Sequence, residues 1–86
     1  MAIPNYITRE HILLAISKID KEGEPPRRDA RKWAVRHNNK EYPCKLLISW
    51  ANIYTDNTEL DPNPNVFQSA MARKYLHNCG FEIVRI

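Results

Sequence analysis

The side chains best suited to hold a metal or attack a carbonyl are His11, His37, His77, Cys44 and Cys79. Structural zinc sites use pairs such as C-x2-C or H-x3-H, because two ligands of one tetrahedron must leave the same turn or helix face. No such spacing occurs here, and His77 with Cys79 is one pair without a second half. A thiolate activated by a distant histidine is not excluded by spacing, since such groups assemble in space. Both cysteines, however, stand among residues expected to be buried, and their expected role is core packing. A two-carboxylate nuclease centre needs acids clustered around a divalent ion. Asp29, Glu41 and Lys45 are the only neighbouring set, and Glu41 has a simpler role opposite Arg36. With Gly23 and Gly80 the only glycines, a Gly-rich phosphate loop cannot be built. The reading is therefore of a protein that is not an enzyme, with no cofactor and no metal.

Charge has more direction. From Arg27 to Lys45 seven basic residues, Arg27, Arg28, Arg31, Lys32, Arg36, Lys40 and Lys45, face only Asp29 and Glu41, a net +5. The rest of the chain then carries −2 within a formal total of +3. A basic stretch on an otherwise slightly acidic chain predicts one face that prefers an anionic partner, with double-stranded DNA the first candidate. Lys45 falls in the first turn of a predicted helix, where the helix dipole disfavours a cation unless something negative docks. Asn38 and Asn39 at a protruding turn are within reach of a base edge or a sugar. The alternative is that these cations only solvate the surface. Trp33 poses a similar choice between core and base stacking, whereas Trp50 is expected in the core.

The elements that position these residues follow from periodicity. Thr8 is a candidate N-cap for a helix over 9–22, with Ile12, Leu13, Ile16 and Ile19 at helical spacing and Gly23 closing it in a left-handed conformation. Glu24-Pro25-Pro26-Arg27-Arg28 breaks regularity and forms a basic connector. From Lys32 the period becomes two. Asn38-Asn39 tolerates positive φ, so a hairpin is predicted in which Val35 pairs with Tyr42 and Arg36 with Glu41. Pro43 suits the first position of a second helix, apolar on nearly every side from Leu46 to Tyr54 and expected at the centre of the core. Residues 59–65 read as a loop. A third helix is predicted from Asn65 or Val66 to Asn78, with Val66, Phe67, Ala70, Met71 and Leu76 inward and Gly80 as its stop. Phe81-Glu82-Ile83-Val84-Arg85-Ile86 alternates as a third strand.

A chain of 86 residues and 10.1 kDa has room for one domain. Hydrophobic residues at 43% and charged residues at 27% are ordinary for a folded soluble protein. The expected architecture is a small α+β domain spanning residues 1–86, with about three helices packed on a three-stranded antiparallel sheet in the order α-β-β-α-α-β. No apolar run approaches a membrane span, and Met1-Ala2-Ile3-Pro4-Asn5 lacks the basic end of a secretory signal, so a cytoplasmic location without membrane association is expected.

Tyr42-Pro43-Cys44-Lys45, Leu46-Leu47-Ile48-Ser49-Trp50-Ala51-Asn52, Leu60-Asp61-Pro62 and Cys79-Gly80-Phe81-Glu82-Ile83-Val84 together resemble the N-terminal head domain of ScoMcrA-type modification-dependent restriction endonucleases. The likeness extends to Lys21-Glu22-Gly23-Glu24-Pro25-Pro26, similar to a Glu-Gly-Pro-Pro turn of that family, and so spans nearly the whole chain. Cys44 stands where the family has a second proline, and Gln68-Ser69 where it often has Gly-Gly. Most of the shared residues are turn and core signals. The resemblance implies an accessory module of a restriction or defence protein, contacting DNA and possessing no nuclease centre of its own. Duplex phosphates would be gripped through Arg27, Arg28, Arg31, Lys32, Arg36, Lys40 and Lys45, with Asn38 and Asn39 at the turn. Other domains or subunits of such an endonuclease are further candidate partners. The competing expectation is a protein-interaction or oligomerisation module, including a small nuclease inhibitor, suggested by the crowd of Trp33, Trp50, Tyr54, Phe67 and Tyr75.

Overall fold

The structure, a computed structural model, describes residues 3–26, 32–61, 63 and 66–86. Helix α1 (Arg9–Glu22) is followed by strands β1 (Trp33–His37) and β2 (Lys40–Pro43), helix α2 (Cys44–Ala51), the single turn α3 (Ile53–Asp56), helix α4 (Ser69–Asn78) and strand β3 (Glu82–Arg85). Three helices and a three-stranded antiparallel sheet of order β2-β1-β3 make the expected α+β domain. None of the described helices is long and apolar enough to cross a membrane.

Helix α1 begins as expected at Thr8, but its cap is reciprocal. The His11 backbone N–H donates to Thr8 Oγ1 at 3.4 Å, and the Thr8 N–H donates to His11 Nδ1 at 3.0 Å, so a histidine fills the place usually taken by glutamate. Ile12, Ala15, Ile16 and Ile19 form its buried stripe, while Leu13 is half-buried. At its end Gly23 has φ 79 but ψ 175, which differs from the expected left-handed helical cap. Only glycine adopts this pair readily, and it launches the chain outward toward Pro25 and Pro26 instead of folding it back.

The hairpin has the expected register: Val35 opposes Tyr42 and Arg36 opposes Glu41. Asn38 and Asn39 have φ 51 and 65, the two positive values that a type I′ turn requires. Pro43 ends the edge strand and caps α2 from outside, one step earlier than its expected place inside the helix. Helix α2 is the centre of the core, buried at every position except Lys45. Its run stops at Asn52, whose buried side chain donates to the Thr58 carbonyl and accepts from the Thr55 hydroxyl. Ile53 is therefore only half-buried at the edge of the core, and Tyr54 is exposed.

Helix α4 starts at Ser69, later than the sequence suggests; of the two expected starts, Asn65 lies outside the described residues and Val66 is in a turn. The backbone N–H groups of Val66 and Phe67 both donate to the Asn63 carbonyl, and Gln68 is extended, so Phe67 enters the core from outside the helix. That phase leaves Ala72 and Leu76 buried and Ala70 exposed, against the expected inward Ala70. The helix closes in a Schellman motif: Phe81 N–H donates to the Leu76 carbonyl and Gly80 N–H, at φ 89, to that of His77.

Candidate nucleic-acid interface

Strand pairing divides the six predicted contact residues that the structure describes between two ends of the sheet. Arg27, Arg28 and Arg31 lie outside the described residues. Lys32 immediately precedes β1 and is exposed, its carbonyl accepting from the Ile86 N–H at 2.9 Å. Lys45, in the first turn of α2, is at the same end, because β2 runs directly into that helix. Arg36, Asn38, Asn39 and Lys40 are at or near the turn. Trp33 and Asn38 are five residues apart along a strand, about 17 Å at roughly 3.3 Å per residue. The described cations of the basic segment therefore do not form one cluster.

The hairpin end is electrostatically compensated. Arg36 donates to Glu41 at 3.0 Å and has Glu82 as its partner on the other side, across β1 and β3. Lys40 lies 3.6 Å from Asp20, which also accepts from the Tyr42 hydroxyl at 2.8 Å. Burial and the Asp20 carboxylate push Tyr42 up to about 12. Asp20 thus fastens α1 to the edge strand. Asn38 and Asn39 are exposed, and their left-handed backbone is sufficient reason for both asparagines.

At the opposite end the position of Lys45 has a local explanation. Its Nζ lies 4.7 Å from the centroid of the Phe67 ring, an attraction that offsets the unfavourable helix dipole without any ligand. Beside it are two arginines absent from the expected set. Arg85 pairs directly with Trp33 across β1 and β3, and its guanidinium carbon is 5.6 Å from the indole centroid. Arg73, projecting from α4, reaches the same ring at 5.0 Å. Among the described residues no carboxylate forms an ion pair with Lys32, Arg73 or Arg85. Trp33, half-buried, is thus neither fully core nor a bare stacking surface. Sequence reading missed this group because β1 and β3 stand far apart in the chain. The alternation of 81–86 put Arg85 on a definite face of β3, but nothing local indicated that Trp33 would be its cross-strand neighbour.

The other candidate chemistry is accounted for by packing. Burial pushes the Cys44 thiol up to about 11, opposed by the nearby positive charge of Arg73, and burial also raises Cys79. Thiols so shifted stay protonated at neutral pH. His11 is engaged in the α1 cap, and His37 packs edge-on against Phe81 with ring centroids 5.9 Å apart. Among the described residues no group of three or more His, Cys, Asp or Glu side chains could hold a metal ion. No family model matches the chain, nor does any curated protein or solved structure.

Proposed function

We propose that the protein is a non-catalytic DNA-binding accessory module of a restriction or defence-type protein, gripping the phosphates of double-stranded DNA. The observation that carries this reading is the convergence of Lys32, Lys45, Arg73 and Arg85 at one end of the sheet, with Lys32, Arg73 and Arg85 uncountered by acid among the described residues. Two arginines on the Trp33 ring, with Lys45 over Phe67 and Lys32 just before β1, provide what a phosphate backbone needs: several positive groups near one another. The likeness of the turn and core signals to the head domain of ScoMcrA-type endonucleases favours an accessory role over an independent activity. The hairpin contributes less than its composition suggests, since Arg36 and Lys40 already face carboxylates.

Titration of a labelled 20-bp duplex at 50 and 200 mM salt tests the proposal. Neutralising about four phosphates gives a slope of log K on log salt near −3.6, so affinity should fall by roughly a hundredfold over that interval. Undetectable binding at 50 mM, or binding indifferent to salt, would refute it. The second reading, a protein-interaction module, is favoured by Leu14 and Tyr54, 46% and 41% exposed on the adjoining elements α1 and α3. It predicts that Leu14→Ser with Tyr54→Ser abolishes association with a partner domain while leaving duplex binding intact.

A further inference from the structure

We infer that Arg73 and Arg85, seated over Trp33, form a phosphodiester-binding site specific for duplex nucleic acid, in which the indole positions the two guanidiniums and does not stack on bases. The inference rests on the DNA-binding reading and assigns it to residues outside the basic segment. Three observations converge. First, both guanidinium carbons lie within 5.6 Å of the same indole centroid, so a base could stack there only by displacing an arginine. Second, the two arginines come from different elements, α4 and β3. Register places Arg85 opposite Trp33, and contact with the indole gathers both guanidiniums at one point before any ligand arrives. A guanidinium so held presents paired donors matched to phosphate oxygens. Third, the exposed tyrosines among the described residues, Tyr6 and Tyr54, belong to the lead-in to α1 and to α3, not to the elements carrying this cluster.

The ligand class follows from these restrictions. Proteins that hold single strands draw much of their affinity from bases stacked on open aromatic rings. A site whose ring is already occupied by guanidiniums must take its affinity from phosphates. Duplex, with its two closely charged strands, satisfies it better than a single strand, and base identity has no route into the contact.

The test uses the full chain with a 20-bp duplex and one of its strands as probes. Arg73→Gln with Arg85→Gln should lower duplex affinity at least tenfold and make the salt slope shallower by about two, whereas Arg36→Gln with Lys40→Gln should change the slope by less than about half a unit. Arg73→Lys with Arg85→Lys should recover the slope but not the full affinity, which separates loss of a contact from loss of the fold. Duplex should outcompete the single strand for the unaltered protein. If the hairpin pair takes the loss and the Arg73/Arg85 pair leaves binding unchanged, the site assignment fails while DNA binding stands. Preference for the single strand, with quenching of Trp33 fluorescence in a Trp50→Phe background, would overturn the assignment in favour of base stacking. No binding of either probe by the unaltered protein sinks both readings.

Discussion

Replacing Gly80 by alanine should destabilise the domain by two separable routes. Gly80 sits at φ 89, where an L side chain collides with its own backbone, at a cost of about 1–2 kcal/mol. A Cβ there would also come within 3.0 Å of Arg9 Nη1. That nitrogen donates to the Cys79 carbonyl at 2.9 Å, and the guanidinium lies 4.4 Å above the Phe81 ring. Because Arg9 is long and exposed it would move aside, forfeiting a hydrogen bond and a cation–π contact worth together about 1 kcal/mol at a solvent-facing site. The expected total is about 2–3 kcal/mol, seen in urea denaturation followed by tryptophan fluorescence as a midpoint lower by about 1–2 M. The two routes separate in a double-mutant cycle with Arg9→Ala. In that background Gly80→Ala should cost only its backbone share, leaving a coupling of about 1 kcal/mol. Strict additivity would show that the Cβ never disturbs Arg9, and the steric part of the reasoning would fall.

Alkaline pH should weaken the fold, most of all at Tyr42 and Cys44. The folded-state values of Tyr42 and Cys44 are raised, to about 12 and about 11, above ordinary values of 10.0 and 9.0, so their contribution is intact below the ordinary value and lost as pH rises through the folded one. Urea stability should therefore decline between pH 9 and 12, and Tyr42→Phe should make the decline above pH 10 shallower without abolishing it, since Cys44 and the half-buried Tyr75 titrate there too; an unchanged profile in the variant would refute the raised Tyr42 value. In the hairpin, Asn39→Gly should leave stability equal or raise it by up to about 1 kcal/mol, whereas Asn39→Ala should cost about 1 kcal/mol, because position 39 needs φ near 65. A thermal melt ranks the two, and a more stable alanine variant would contradict the type I′ turn.

Features set by neighbours in the chain were legible beforehand. The bounds of α1, the register of the β1–β2 hairpin and the stop at Gly80 each depend on residues a few positions apart: Thr8 with His11, Asn38 with Asn39, Gly80 with Leu76 and His77. The misjudged features depend on longer-range competition. The start of α4 shifted because Phe67 is drawn into the core from an extended cap, and the second helix was cut at Asn52 because its side chain is consumed by the turn that follows. Lys45 read as a cation awaiting an anion, since Phe67, distant in sequence, could not be seen to lie beneath it.

Composition and local pattern by themselves determined that this chain forms one small α+β domain, with an apolar central helix and a basic segment between its first two helices. They could do so because helix caps, turn dihedrals and apolar periodicity are short-range properties of the backbone and its nearest side chains. Apart from Arg36 with Glu41, which the hairpin register already paired, which cations meet acid and which do not was decided only in three dimensions. The β2-β1-β3 order sets Arg36 between two glutamates and lays Arg85 over Trp33, while the packing of α4 brings Arg73 to the same ring. Charge is counted along the chain, but its attraction for a partner depends on distances through space. Strand order and helix packing fix those distances, and beyond the hairpin no local signal encodes them.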